Sequence, residues 1–190
     1  MREYFRRLPH FQPENAYIFL TWRLYGSIPV QKDTRYATDG HAFVAADRAM
    51  DRDQSSPRWL KEPAVASVVA EAIRIGAFER QFYELYAWAV MANHVHLLIL
   101  PKAPIPVLMR WLKGSTARKA NQLLGRTGKP FWRDESHDHW IRNREQLRRL
   151  IRCIEANPVV ADLVSSAELW PWSSAYGQAK PPAPPLAPAT

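Results

Sequence analysis

Residues 91–100 read Met-Ala-Asn-His-Val-His-Leu-Leu-Ile-Leu. This apolar run is typical of a buried β-strand, and two histidines interrupt it. Side chains alternate between the two faces of a strand, so His94 and His96 are expected on the same face. Two neutral imidazoles side by side can bind one divalent metal ion. Two unrelated half-buried histidines would give the same spacing, so the pattern alone leaves both interpretations open.

The segments on either side of this strand predict an α+β fold. Aromatic and β-branched residues, or alternating apolar residues, predict strands over 17–24, 82–90, 94–100 and 137–141. Apolar residues at helical spacing predict helices from Pro63 to near Gly76, over 105–124, and from the N-cap Asn143 to about Ala156. This order is that of the ferredoxin-like split βαβ fold, an antiparallel sheet with helices packed on one face.

The 190-residue chain is long enough for a single domain with a substantial core, and we assign that domain to residues 1–178. Residues 31–60 are polar and charged, which predicts an insertion between the first strand and the first core helix. Residues 179–190 are proline-rich and are expected to form a disordered tail. Pro158 is expected to push Asn157 out of helical geometry and to end the last helix.

The net charge of +8 is concentrated in one part of the chain. Residues 104–152 contain twelve Lys or Arg against four Asp or Glu, and the remainder of the sequence is neutral. A basic block of this kind is expected to bind a polyanion such as nucleic acid.

The cysteine content and the apolar runs predict the compartment. Cys153 is the single cysteine, so no internal disulfide is possible, which fits a reducing cytoplasm. No apolar run reaches the roughly 18–20 residues that span a bilayer, so no membrane association is expected.

Five blocks of sequence resemble, in order, the REP-associated tyrosine transposases, a branch of the HUH single-tyrosine transposase family. The central block is Asn-His-Val-His-Leu-Leu, which resembles the His-hydrophobic-His motif of HUH nucleases. The five blocks are residues 6–10 with 17–24, then 91–96, 131–142, 151–159 and 170–174. The resemblance extends over about residues 6–176.

The resemblance implies a metal-dependent reaction on single-stranded DNA. In the family, two histidines and an amide or acidic side chain hold Mg²⁺ or Mn²⁺, and a tyrosine attacks the scissile phosphate. This leaves a covalent 5′-phosphotyrosine and a free 3′-OH. The corresponding metal ligands are His94, His96 and Asn157. The family partner is a hairpin formed by repetitive extragenic palindromes, and the protein is expected to be a monomer or a homodimer.

The sequence departs from the family at the nucleophile. The family has Tyr-Ile-x-x-Asn-Pro, whereas residues 153–158 read Cys-Ile-Glu-Ala-Asn-Pro. Cys153 therefore occupies the position of the tyrosine, four residues before Asn157 and on the same helix face. Its sulfur lies much nearer the backbone than a phenolic oxygen, and a misplacement of ~1 Å already costs roughly 100-fold in rate. Cleavage is therefore expected to be weak or absent.

Two classes of residue are candidates for DNA contacts. Basic side chains would meet phosphates, and tryptophans could stack on unpaired bases. The predicted contacts are Lys113, Arg118, Lys119, Trp132, Arg142, Arg148, Arg149 and Arg152, with Trp111 and Trp140 as further candidates for stacking.

Three alternatives remain open from the sequence. The chain could be a non-catalytic binder of DNA hairpins with the same fold. It could be a small zinc protein in which His94, His96 and Cys153 bind the metal. It could also be an RNA-binding module of ferredoxin-like fold. Other tyrosines could replace the missing nucleophile, although spacing favours none of Tyr83, Tyr86 and Tyr176.

Overall fold

The computed structural model describes residues 15–27 and 56–177, together with the backbone of residues 2–5 and 9–12. The strands and helices of this part follow one another as β1 (Arg2–Phe5), β2 (Pro9–Gln12), β3 (Ile18–Arg23), α1 (Pro63–Phe78), β4 (Tyr83–Val90), β5 (His94–Pro101), α2 (Ile105–Leu123), β6 (His137–Trp140) and α3 (Arg144–Val160). Short 3₁₀ turns lie at Trp59–Lys61 and Ala167–Leu169.

Four strands form an antiparallel sheet in the order β4-β5-β3-β6. Strand β5 therefore lies in the middle of the sheet, between β3 and β4. This order and these directions are those of the ferredoxin-like fold, so the predicted α+β class is confirmed. The paired strands β1 and β2 were not predicted from the sequence.

One face of the sheet is covered by α1 and α2. Alternate residues of the central strands, such as Trp22 of β3 and Leu97 of β5, point to this face and are buried. The helices contribute aliphatic side chains at helical spacing, among them Val69 and Ile73 from α1 and Leu112 from α2. The two helices of the split βαβ unit thus lie on one face, as predicted.

Helix α3 packs on the opposite face of the sheet, which corrects the expectation that all helices share one face. Its side chains Leu147, Leu150, Ile151 and Ile154 pack with Phe19, Ala87, Ala89 and Leu98 of the sheet. Phe19 and Leu98 alternate along their strands with residues of the first core, which is the one between the sheet and helices α1 and α2. The central strands are therefore apolar on both faces. Both faces of the sheet are therefore buried by helices. The histidines lie on the second face, which α3 covers.

The predicted start of α3 is confirmed, but its predicted end is wrong. Asn143 caps the helix by accepting a hydrogen bond from the Gln146 amide N–H at 2.8 Å. The helix continues through Pro158 to Val160. Proline before the last turn removes one N–H donor and disfavours helical geometry at the preceding residue without forbidding it. Asn157 thus remains helical, and its carbonyl accepts from the Ala161 N–H at 2.9 Å.

Most of the predicted insertion, residues 31–55, and the predicted tail, residues 179–190, lie outside the described residues. The described end of the insertion is folded, since Leu60 is fully buried in the first core. None of the described helices is long and apolar enough to cross a bilayer.

Candidate metal and DNA site

His94 and His96 lie on the same face of β5, as predicted, and this is the face that α3 covers. Their Nε2 atoms are 2.8 Å apart. Both side chains are fully buried, at 0% exposure. The His96 ring also stacks on Phe19, with ring centroids 5.5 Å apart, and Phe19 belongs to the core formed with α3. The pair is therefore held against the second core.

Each histidine has an oxygen partner on its other ring nitrogen. Asn93 Oδ1 lies 2.7 Å from His94 Nδ1. Since a carbonyl oxygen only accepts, the proton of His94 is on Nδ1, and its Nε2 presents a lone pair. Thr21 Oγ1 lies 3.0 Å from His96 Nδ1, and a hydroxyl can either donate or accept. The register explains this contact, because Thr21 of β3 lies directly opposite His96.

This arrangement fits a divalent cation. Two nitrogens in adjacent positions of an octahedral ion, each ~2.1 Å from the metal, would be about 3.0 Å apart. The observed 2.8 Å separation between the Nε2 atoms is close to this value. Without a cation, His96 Nε2–H donates to His94 and Thr21 donates to His96. His94 and His96 would hold a cation through their Nε2 atoms if His96 carried its proton on Nδ1 and donated it to Thr21.

The third predicted ligand, Asn157, lies on α3 and is 3% exposed. It follows Ile154 by three residues, so both side chains lie on one face of the helix. Ile154 packs in the same core as Phe19, which stacks on His96. The carboxamide is thus a buried polar group on the face of α3 that covers the sheet.

Cys153 lies one helical turn before Asn157 and is half-buried. The zinc alternative is not supported. Among the residues that the structure describes, no three His, Cys, Asp or Glu side chains come together to hold a metal ion. His94, His96 and Cys153 all belong to that part, so they do not form a zinc-binding cluster.

The structure gives no support to Tyr83, Tyr86 or Tyr176 as a replacement for the missing nucleophile. Tyr83 belongs to the first core, on the face opposite the histidines, and burial raises its pKa. Tyr86 lies on the histidine face, but a hydrogen bond with Tyr17 and burial raise the pKa of its phenol. A raised pKa makes the phenolate, the reactive species, harder to form. Tyr176 is 56% exposed beyond the 3₁₀ turn at Ala167–Leu169.

Six of the predicted DNA-contacting residues have exposed side chains. They are Arg118 and Lys119 on α2, Arg142 before α3, and Arg148, Arg149 and Arg152 on α3. Arg149 also forms an ion pair with Glu145 one turn earlier, with 3.1 Å between the charged atoms. Arg152 follows Arg148 by four positions and Arg149 by three, so the three side chains lie on one solvent-facing side of the helix.

Lys113 and Trp132 have structural roles within the protein, and their DNA contacts stay a prediction. Lys113 Nζ donates to the backbone carbonyls of residues 133, 134 and 135 at 2.9, 2.9 and 3.3 Å, which uses all three of its protons. Trp132 is 7% exposed, and its indole N–H donates to Thr116 Oγ1 at 2.8 Å. Trp132 also packs edge-on against Trp22, so its faces belong to the core.

Trp111 and Trp140 are half-buried, and each has a cation near its ring. Arg80 lies 5.6 Å from the centroid of Trp111, and Arg142 lies 5.2 Å from the centroid of Trp140. Both remain candidates for base stacking.

The sequence profile of the family described as "Transposase IS200 like" matches residues 58–140, which contain β5 and both histidines. The chain is thus similar to IS200-like transposases, as the sequence predicted. The match ends before α3, so it does not include Cys153 or Asn157.

A solved structure gives a more particular likeness. The structure of a REP-associated tyrosine transposase bound to a REP hairpin is 21% identical to this chain with a TM-score of 0.55, and the alignment covers 92% of this chain and 82% of that one. The two proteins share the fold. A candidate transposase from Deinococcus radiodurans R1 is 19% identical with a TM-score of 0.43, over 77% of this chain and 96% of that one. No curated protein matches the sequence of this chain.

Sequence reasoning missed Asn93 and Thr21, which bond to the histidines, and Arg23, which lies opposite His94. Asn93 belongs to the quoted motif, but the pattern gives it no role. Thr21 and Arg23 lie in a strand that is more than 70 residues away in sequence. The signal that could have found them is the register between β3 and β5, which places Thr21 opposite His96 and Arg23 opposite His94. Register is not readable from a single strand.

Proposed function

We propose that this chain is a transposase-like protein that binds single-stranded or hairpin DNA with the help of Mg²⁺ or Mn²⁺. His94 and His96 would hold the ion through their Nε2 atoms, and the Asn157 carboxamide would supply a third ligand. The bound ion would polarise a phosphodiester of the DNA. We propose that the protein acts in the cytoplasm as a monomer or homodimer. Its single domain would extend over residues 1–178.

The observation that carries this proposal is the geometry of the histidine pair. The two Nε2 atoms converge at 2.8 Å while Asn93 and Thr21 fix the two Nδ1 atoms. Such partners orient the ring and set the tautomer that leaves a lone pair toward a metal. Buried imidazoles need polar partners in any core, so the convergence of the two Nε2 atoms, rather than the oxygen partners, is what favours an ion site.

The charge of the surface supports DNA as the partner. The exposed arginines Arg148, Arg149 and Arg152 lie on the solvent-facing side of α3, the helix whose other side covers the histidine face. Their guanidinium groups are suited to phosphate oxygens. The REP hairpin in the solved relative makes a hairpin with a single-stranded extension the natural first ligand.

The chemistry is limited by Cys153. Strand cleavage in the proposed site needs a nucleophile that reaches the phosphorus from α3, and this chain offers a short thiol there. A second candidate function is therefore a DNA-hairpin binder that does not cleave. The replacement at residue 153 is the observation that favours it.

Titration of DNA binding with salt tests the proposal. A hairpin with a single-stranded 5′ extension is compared with a fully paired duplex of equal length, with and without Mn²⁺. We expect tighter binding of the hairpin, a further gain with Mn²⁺, and a steep loss of affinity with added salt as counterions are released. Equal affinity for both DNAs, or binding that ignores both salt and Mn²⁺, would contradict the proposed function.

A further inference from the structure

A row of three side chains crosses the sheet beside the histidine pair. Arg23, the last residue of β3, lies directly opposite His94 of β5. On the side of β3 away from β5, Leu24 forms a β-bridge with Trp132. There the Arg133 N–H donates to the Arg23 carbonyl at 2.9 Å. Opposite residues of an antiparallel pair point to the same face. His94, Arg23 and Arg133 therefore form a continuous row across three neighbouring chain segments.

The alternation of β3 fixes which face this is. Trp22 and Leu24 point into the core beneath α1 and α2. Thr21, in phase with Arg23, contacts His96 on the other face. Arg23 thus lies on the histidine face and next to the proposed ion site.

The backbone register places two arginines side by side in this row. Arg23 and Arg133 are both half-buried, whereas the neighbouring His94 is fully buried. The Arg133 side chain is also restrained, because its guanidinium donates a hydrogen bond to the Ser27 backbone carbonyl. Two like charges brought together at a partly open site are stabilised by an anion between them.

We infer that Arg23 and Arg133 form a phosphate-binding site that places one DNA phosphodiester against the ion held by His94 and His96. This inference rests on the proposed function and deepens it, since it names the residues that would hold the reacting phosphate. The planar guanidinium group can donate two parallel hydrogen bonds to phosphate oxygens. Arg23 would thus be a catalytic residue in a cleaving variant and a phosphate anchor in this chain.

Arg23→Gln tests the inference, with Arg74→Gln as the matched control. Arg74 is exposed on α1, on the other face of the sheet, so its loss removes the same charge without touching the row. For Arg23→Gln we expect about tenfold weaker binding of the hairpin with its 5′ extension, in line with charge-assisted hydrogen bonds. The slope of log affinity against log salt should fall by about 0.7 for a single-stranded contact. Arg23→Lys should recover most of the salt slope but less of the affinity.

Neutral methylphosphonate linkages placed one at a time in the 5′ extension give a second, independent measurement. With the unchanged protein, one linkage should weaken binding most, and in Arg23→Gln that penalty should disappear, because the lost partner is the same. Equal DNA affinity and an equal linkage profile for Arg23→Gln and Arg74→Gln would overturn the inference.

A measurement of Mn²⁺ binding distinguishes failure of this inference from failure of the proposed function. Retained Mn²⁺ binding by Arg23→Gln shows that the neighbouring site is folded, whereas its loss would mean that Arg23 acts on structure and would also overturn the inference. If the unchanged protein binds neither Mn²⁺ nor the hairpin, the proposed function itself fails.

Discussion

The Nε2 atoms of His94 and His96 lie 2.8 Å apart, and each ring is fixed by an oxygen on its other nitrogen. The separation suits both a hydrogen bond and the chelation of one cation. In the proposed site, a change of tautomer at His96 would present both Nε2 lone pairs to an ion.

Thr21→Val should weaken Mn²⁺ binding. The substitution keeps the shape of the side chain but removes the hydroxyl that lies 3.0 Å from His96 Nδ1. Loss of such an outer partner typically lowers metal affinity roughly 10–100-fold. Isothermal titration with Mn²⁺ measures the effect, with Thr116→Val as a control at a buried threonine that bonds to Trp132 instead. Unchanged affinity in Thr21→Val would show that the hydroxyl does not orient the ring.

Cys153→Tyr should give a covalent adduct with a hairpin that carries a single-stranded extension. The phenol would stand at the position that the transposase family uses, one turn before Asn157. The adduct is read as a shifted band on a denaturing gel in the presence of Mn²⁺. Cys153→Phe is the control, because it adds the same ring without a hydroxyl. A variant that binds DNA and Mn²⁺ but forms no adduct would contradict the assignment of residue 153.

The histidine strand and most helix and strand boundaries could be predicted from the sequence because each depends on local pattern. Alternation placed both imidazoles on one face, and Asn143 with Gln146 marked the start of α3. The position of α3 on the second face could not be predicted, because its apolar stripe fits either side of a sheet whose central strands are apolar on both. The end of α3 was missed because the bias before proline is a preference, and the packing of Ile154 and Asn157 outweighs it.

Individual roles of basic residues were the least predictable feature. Lys113 and Arg148 look alike in sequence, but the first satisfies three carbonyls and the second faces solvent. A similar limit applies to tryptophans, since burial alone separates Trp132 from Trp140. Long-range packing decides these roles, and no local pattern encodes it.

Lys113→Met should therefore lower stability without changing the salt dependence of DNA binding, whereas Arg148→Gln should change that salt dependence and leave stability nearly unchanged. Lys113→Met leaves the carbonyls of residues 133–135 without their donor, so the free energy of unfolding should fall by about 1–3 kcal/mol. Its slope of log DNA affinity against log salt should be unchanged. Arg148→Gln should leave the unfolding free energy nearly unchanged and reduce that slope by about 0.7. Urea denaturation and salt titration together check both, and a reduced slope in Lys113→Met would contradict its structural role.

Stability should fall as the pH drops below the ordinary pKa of histidine, partly because of His139. Burial and the nearby Arg142 lower the pKa of His139 from 6.5, and the Gln146 side-chain amide donates to its Nε2 at 3.0 Å. Below pH 6.5 the unfolded chain therefore binds a proton that the folded chain excludes, and unfolding becomes easier. His139→Phe should show a smaller drop in melting temperature between pH 7.5 and pH 5.5, values chosen about one unit on either side of 6.5. An identical drop in both proteins would rule out this residue as a source of the acid sensitivity.

Mn²⁺ binding by the unchanged chain, by His96→Ala and by Asn157→Ala tests the central claim most directly. Gln122→Ala serves as the control for loss of a carboxamide, because Gln122 is exposed on α2 and lies away from the histidine face. We predict that the unchanged chain binds one Mn²⁺ and that His96→Ala binds none. Asn157→Ala should bind Mn²⁺ markedly more weakly, whereas Gln122→Ala should bind it as the unchanged chain does. Full Mn²⁺ affinity in His96→Ala, or equal affinity in Asn157→Ala and Gln122→Ala, would contradict a cation site shared by the paired imidazoles and α3.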